Sequence, residues 1–460
     1  MTDVKRGDGT KEIRIEDELV TRIEGHGSIV VNATDGELES CEWQVVESPR
    51  YFEAMLVGQD YETVPHITSR ICGICSASHV NSALKAVESA IGVEISEQDH
   101  RLRKLSLDAE TIQSHVLHVG YLALPDLVGT PSVIPLASSH DEEVRTVVRL
   151  HALGNELLEL VGGRSVHTQR LVPGGFSKLP TEAELEAMKA KLEDSEADLD
   201  ALVEFFAELA PELPDFTRET EFISITHPDE YALLDGTVYS SDVGELSNED
   251  YAEIVNEYVV PQSTAKYAKH ERGSYMVGAL ARFNNNYDQL SDRAKAVAER
   301  FDLEPVCHNP FMNTVAQVVE LAHLFDHSID LIDELLAEGL ADQSPYHRPE
   351  IDPEDGRGIG IVEAPRGLLI HDYTFEDGRC TAANSVIPTN QNHANIQHDM
   401  EAFLPAILDR PEDEIEHQLE VLVRAYDPCI SCSTHYLDVE FVDGRGVDSV
   451  DGRGVERRQA

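Results

Sequence analysis

Two cysteine pairs near opposite ends of the chain, Cys72-Gly-Ile-Cys75 and Cys429-Ile-Ser-Cys432, constrain its fold more than any other feature. Two residues between cysteines let both sulfurs face one metal ion. A centre built from both pairs requires a fold that carries residue 429 back to residue 75 and buries the two together. Each pair has a histidine just behind it, His79 and His435. Soft sulfur ligands select transition metals over magnesium or calcium.

The chain has 460 residues, 41% of them hydrophobic, enough for one large core or two to three ordinary domains. Seven cysteines are present, and Cys41, Cys307 and Cys380 lie outside the pairs. An odd count, with no apolar leader behind the N-terminal Met-Thr-Asp-Val-Lys-Arg-Gly-Asp, predicts a reducing, cytoplasmic setting rather than a disulfide framework. No run of about 18 apolar residues occurs, so no membrane span is expected. The net charge is −50, from 86 acidic against 36 basic residues. Nucleic-acid binding needs a basic face and is excluded on that ground. The acid is spread along the chain, with rich stretches at 181–200, 212–230, 348–355 and 411–417. Self-repulsion on this scale destabilises a compact fold at low salt, which predicts adaptation to a high-salt cytoplasm. The alternative is an ordinary acidic protein that meets a cationic partner.

Hydropathy patterning predicts a mainly α protein: a large helical bundle core with a small β region near the N-terminus. Ile13 and Ile15 alternate with charges, and Ser28-Ile-Val-Val-Asn32 is β-branched, so the first 50 residues read as strands. From about 76 onward Ala83, Leu84, Val87, Ala90 and Ile91 share one helical face. Segments 101–123, 141–162, 181–210, 250–271, 285–300, 312–338 and 396–425 read as helical in the same way. Pro and Gly clusters at 125–136, 172–180, 344–360 and 364–367 separate them. No linker is visible, so residues 1–435 are expected to form one unit. Val442-Asp-Gly-Arg-Gly-Val447 recurs at Val450–Val455, and this Gly-rich tail, 436–460, is not expected to pack.

Cysteine spacing alone also permits a structural zinc site. Zinc ribbons, however, place their pairs about 15–20 residues apart. Here one pair leads into an apolar-periodic helix and the other follows a long helix and Asp427-Pro428. Further polar clusters accompany them: Arg22-Ile-Glu24-Gly-His26, Arg70, Glu363-Ala-Pro365-Arg366-Gly367, and Ser385-Val-Ile-Pro388-Thr389-Asn390-Gln-Asn392, the last two in Pro-rich stretches read as loops. Singly, each reads as a solvated charge or a turn.

Together these motifs resemble the large subunit of nickel–iron hydrogenases over residues 12–435. The family's Arg-x-Cys-Gly-x-Cys-x-x-x-His is similar to Arg70–His79, and its Asp-Pro-Cys-x-x-Cys-x-x-His to Asp427–His435. Its Arg-Ile-Glu-Gly-His is similar to Arg22–His26 and its Ala-Pro-Arg-Gly to Ala364–Gly367. A related subunit of respiratory complex I shares the fold but lacks these cysteines. The resemblance implies that Cys72 and Cys429 are terminal nickel ligands and that Cys75 and Cys432 bridge nickel and iron. It implies carbon monoxide and cyanide on the iron, in a pocket of Pro365, Arg366 and Thr389. It implies that His79 donates to a bridging sulfur. Glu24 would accept the proton released by heterolytic cleavage of dihydrogen. A second hard ion, magnesium or iron, would sit at Glu53, the backbone oxygen of Ser385, and His435. Cleavage after His435 by a maturation endopeptidase is also implied.

Three departures set the subtype. The position of a family aspartate is Ser114, the Arg-Gly-aromatic-Glu segment reads Arg50-Tyr-Phe-Glu53, and the His-Pro pair reads His167-Thr168. These favour the soluble, bidirectional types coupled to nicotinamide or a deazaflavin. The chain has no Gly-rich dinucleotide fingerprint and no spare cysteines for an iron–sulfur cluster. The expected function is therefore a catalytic subunit that passes electrons to an iron–sulfur small subunit. The alternatives are a non-catalytic subunit of an electron-transfer complex and a hydrogen sensor.

Overall fold

Alternating apolar residues near the N-terminus build a three-stranded antiparallel sheet, Glu12–Asp17, Gly27–Thr34 and Glu37–Val45. Ile13, Ile15, Ile29, Val31 and Trp43 all turn to one face and are buried. The structure, a computed structural model, describes residues 12–17, 19–341 and 351–434. His435, the repeated Val-Asp-Gly-Arg-Gly-Val stretch and the expected tail 436–460 lie outside the described residues.

The centre is helical, as the 3.6-residue periodicity predicts. The Glu97–Leu117 helix packs against both Asp141–Gly162 and Asn313–Glu338. Their starts carry the expected signals. Ser96 accepts from Asp99 N, and Asp141, Glu142 and Glu143 fill the first turn of the second helix. Glu182–Asp194 opens with a capping box made by Thr181 and Glu184. A π-helical segment, His118–Ala123, follows the Glu97–Leu117 helix directly. It turns His118 inward, where Nδ1 meets Gln317 Oε1 at 2.5 Å and Nε2 meets the Arg424 carbonyl at 2.7 Å.

Two expectations fail in detail. Residues 250–271 do not form a helix: they hold one turn, Tyr251–Ile254, and two short strands, Asn256–Tyr258 and Tyr267–Lys269. Pro261 removes a helical donor, and the aromatic and β-branched neighbours Tyr258, Val259 and Val260 favour extended backbone. The stretch containing Pro365 and Ser385 is a second antiparallel sheet, Gly356–Ala364, Gly367–Glu376 and Arg379–Val386, rather than loop. Pro388 to Asn392 open the Pro388–Phe403 helix. The glycines that made 356–360 read as a separator have a packing role. A Cβ on Gly358 would lie 2.1 Å from Ala86 O, and one on Gly360 1.9 Å from Ser82 O. The strand thus lies directly on the Ser76–Ile91 helix, and Ser82 Oγ donates to Gly360 O at 2.9 Å. That contact ties the helix behind the first cysteine pair to the hairpin that carries Arg366. Among the described residues no single helix is long and apolar enough to cross a membrane.

Candidate metal centre

The first cysteine pair ends where the Ser76–Ile91 helix begins, and in the second pair Cys429 precedes a short helical turn, Ile430–Ser433, that contains Cys432. The two are clasped by distant side chains. Arg50 Nη2 donates to Ile71 O at 2.5 Å and also to Ser431 O, one carbonyl just before each of Cys72 and Cys432. The Glu24 backbone pairs with the second motif: Ile430 N donates to Glu24 O at 2.9 Å. Arg50 N donates to Thr434 O at 2.8 Å, so the end of the described chain is pinned three residues from Glu53.

All four sulfurs are buried, outside any disulfide and within 4.8 Å of one another. Cys72 Sγ lies 3.5 Å from Cys429 Sγ, Cys75 Sγ 3.5 Å from Cys432 Sγ, and Cys429 Sγ 2.8 Å from Cys432 Sγ. Ile74 N and Cys75 N each donate to Cys72 Sγ at 3.2 Å. Burial pushes the Cys72 thiol up. Hydrogen bonds from Cys429, Cys432 and Cys75 and the Arg366 charge outweigh this and hold it well below the ordinary thiol range. Cys429 and Cys432 are pushed well up, by burial first and then by neighbouring sulfurs. Four thiolates in one dry pocket repel one another, and bound cations are what allow all four to ionise together.

Several polar side chains named from the sequence lie around the sulfurs. Glu24 Oε2 accepts from Cys429 Sγ at 3.2 Å and from Ser431 N at 2.9 Å. Arg366 is buried in the turn between two strands of the second sheet, with Pro365 buried beside it. Its Nε donates to Asp427 O at 2.7 Å and its Nη2 to Asp427 Oδ1 at 2.9 Å. Its Nη1 is buried and has no hydrogen-bond partner among the described residues. Thr389 Oγ1 accepts from Cys429 N at 2.9 Å, which leaves its hydroxyl hydrogen to donate elsewhere. A free guanidinium N–H and a free hydroxyl proton beside four sulfurs fit an iron that carries polar diatomic ligands. Glu53 and Ser385 are both buried and both act on the Tyr373 phenol, Glu53 through its charge and Ser385 through a hydrogen bond.

Sequence reasoning missed several participants. His79 Nδ1 lies 3.0 Å from His371 Nε2, and His371 Nδ1 is hydrogen-bonded to the Tyr373 hydroxyl. Glu110 accepts from Ala77 N, from Ser78 N at 2.8 Å, and from Ser78 Oγ, capping the helix that leaves Cys75. Asp427 was read only as part of the cysteine motif, yet it holds Arg366 and accepts from Gln317 Nε2 at 3.1 Å. No local pattern marks these residues. Their roles follow from partners that are distant in sequence.

Comparison with known proteins agrees with this geometry. Residues 50–146 and 262–435 match the family model described as nickel-dependent hydrogenase, and residues 13–48 match the model described as HoxL-like. The chain is 33% identical over 416 residues to the sulfhydrogenase 1 subunit alpha of Pyrococcus furiosus, covering 90% of this chain and 96% of that protein. It is 33% identical over 431 residues to the sulfhydrogenase 2 subunit alpha of the same organism, covering 92% and 99%. Among solved structures, an NAD+-reducing [NiFe]-hydrogenase in its H2-reduced state superposes with a TM-score of 0.82 at 29% identity, covering 94% of this chain and all of that one. A [NiFeSe]-hydrogenase of Dm. baculatum shares the fold, with a TM-score of 0.71 at 22% identity over 93% of this chain and 100% of that one. A buried four-cysteine pocket, the family matches and full-length likeness to hydrogenase subunits converge: the chain belongs to the nickel-dependent hydrogenase family, as a large, catalytic subunit.

Proposed function

We propose that this subunit carries nickel and iron on Cys72, Cys75, Cys429 and Cys432, with Cys75 and Cys432 shared by both metals, and that it interconverts dihydrogen with protons and electrons. The observation that carries this reading is the meeting of the four buried sulfurs with Glu24 on Cys429. A nickel–iron pair bound there supplies the redox-active, Lewis-acidic centre that polarises dihydrogen. Glu24 stands where a proton leaving the Cys429 sulfur is taken up, at hydrogen-bond distance and with its backbone fixed to the same turn. Arg366 Nη1 and the Thr389 hydroxyl would be the donors to cyanide on iron, and Pro365 would line the pocket for carbon monoxide. With Tyr373 donating to His371 Nδ1, His371 Nε2–H donates to His79 Nδ1, and His79 keeps its Nε2–H for a bridging sulfur. Glu53 and the Ser385 carbonyl, with His435, would hold magnesium or a second iron.

Electrons leave through an iron–sulfur small subunit and pass on to a nicotinamide- or deazaflavin-linked partner. An exposed apolar rim supports a docking partner at this point. Tyr51, Met55 and Val57 flank Arg50, and Val166 lies 3.9 Å from the Cβ position of Gly73, between the first two cysteines. The dispersed net charge of −50 supports a high-salt cytoplasmic setting. Removal of residues 436–460 by a maturation endopeptidase would let His435 reach its ion, and intact mass of the active enzyme tests it. A mature mass that includes Ala460 would refute the cleavage.

The deciding experiment for the centre is infrared spectroscopy with metal analysis of the purified complex. Metal-bound carbon monoxide and cyanide bands with nickel and iron are expected. Zinc alone without such bands would sink the reading.

A further inference from the structure

Behind Arg366 lies a second buried arginine that no motif singles out. Arg282 is fully buried on the Ala279–Asn286 helix, and acceptors meet all five of its N–H donors. Nε donates to Glu320 Oε1 and Nη2 to Glu320 Oε2, each at 2.7 Å. Nη1 donates to Glu363 Oε2 at 3.0 Å and to Ala364 O at 2.9 Å. Nη2 also donates to Pro365 O at 2.9 Å. The guanidinium therefore grips the two successive carbonyls immediately before Arg366. Its anchor is held in turn, because Glu320 also meets His115 Nε2 at 2.6 Å and the Tyr231 hydroxyl at 2.5 Å.

The backbone is shaped for this grip. The Arg282 helix starts against the turn, so that a Cβ on Gly367 would lie 2.7 Å from Gly278 N, and both glycines have positive φ, 129° and 117°. On the other side Asp427 fixes Arg366 through Nε and Nη2. The guanidinium is planar, so these two bonds also direct the remaining Nη1, which is buried and unpartnered among the described residues, beside Cys72, Cys75 and Cys429 whose charges act on Arg366.

We propose that Arg282 is a positioning residue for Arg366: by clamping the Ala364 and Pro365 carbonyls it fixes the backbone from which Arg366, oriented by Asp427, presents Nη1 to the four-cysteine pocket. This rests on the nickel–iron reading above. Lysine carries a charge but no planar fork, so it can neutralise Glu320 without gripping both carbonyls.

The test uses the assembled enzyme with R282K. R103K serves as a control, because Arg103 is a buried arginine paired to Glu88 at 2.6 Å through two nitrogens and remote from the turn. The expected R282K protein keeps nickel and iron, has shifted or broadened cyanide bands, and exchanges dihydrogen more slowly by on the order of 10-fold or more, as for a displaced contact. R103K should lose thermal stability with its bands unmoved. In an R366K background, R282K should move the cyanide bands no further. Fully loaded R282K with wild-type bands would overturn the proposal, as would an equal additional shift in the R366K background. Should R282K fail to load metal, E363Q decides, since it weakens one anchor of the same turn: moved cyanide bands in loaded E363Q support the clamp, and unmoved ones refute it. Failure of the underlying reading is a separate result, visible in the wild type as absence of nickel, iron and the diatomic bands.

Discussion

Glu24→Gln separates proton transfer from assembly. Glu24 Oε2 receives Cys429 Sγ at 3.2 Å and Ser431 N at 2.9 Å, and the Glu24 backbone accepts from Ile430 N independently of the side chain. Glutamine preserves shape, and its carbonyl oxygen still accepts from Ser431 N. Because that one oxygen meets both Ser431 N and the Cys429 sulfur, the glutamine NH2 takes the other position, Oε1, and the amide oxygen that faces the sulfur is not a base. The local structure therefore survives and the metals stay. The variant loses only the capacity to take a proton. A positioned acid–base group typically contributes about 10²–10⁴-fold, which at 1.36 kcal/mol per decade is about 3–5 kcal/mol of barrier. Dihydrogen/deuterium exchange measured against nickel and iron content reads this directly. A fully metallated E24Q protein that exchanges at the wild-type rate would show that the proton leaves the sulfur by another route.

Three other perturbations probe different layers. Cys432→Ser should remove nickel and iron together on the proposal that both metals share its thiolate; stoichiometric nickel and iron in that variant would refute the bridging role. At net charge −50, thermal stability should rise steeply with potassium chloride, since screening shortens the Debye length to about 3 Å at 1 M; equal melting temperatures in dilute and near-saturated salt would defeat the high-salt reading. Burial pushes the Glu363 carboxyl up from 4.5 to about 7, against the Arg282 charge and the Ile225 N–H. Between those values the folded protein keeps a proton that the unfolded chain has released. That contribution is full below the unfolded value and is lost as pH rises through about 7, on the order of 3 kcal/mol in all. E363Q should flatten this fall in melting temperature between pH 5 and 8 (roughly the range of the two states' titration); an unchanged slope would argue against a neutral Glu363 beside the Arg282–Glu320 pair.

What could be read in advance divides along a physical line. A metal chelate imposes local spacing on its ligands, so Cys72, Cys75, Cys429 and Cys432 announce themselves, and amphipathic periodicity places the Glu97–Leu117, Asp141–Gly162 and Asn313–Glu338 helices. Periodicity is weaker evidence where strands are short or glycine-rich. Residues 250–271 look helical until Pro261 and its extended neighbours are weighed, and Gly356, Gly358 and Gly360 look like a break although they let a strand lie on a helix backbone. The residues that aim the site leave no local trace, because their partners are chosen by the fold. Arg50 joins carbonyls at 71 and 431, Asp427 holds a guanidinium at 366, and His371 on the second sheet meets His79 on the helix packed against it. Arg282 is the sharpest case. In the sequence it is one arginine among apolar and amide neighbours, Ala279 to Asn286, where an unpaired charge would count against burial. Its cost is offset only when Glu320 from one helix and Glu363 with the Ala364 and Pro365 carbonyls from a strand end and its turn converge on it. A buried charge with every donor met is therefore a mark that tertiary structure, not local propensity, fixed the position, and it stands directly behind Arg366, whose buried Nη1 has no partner among the described residues.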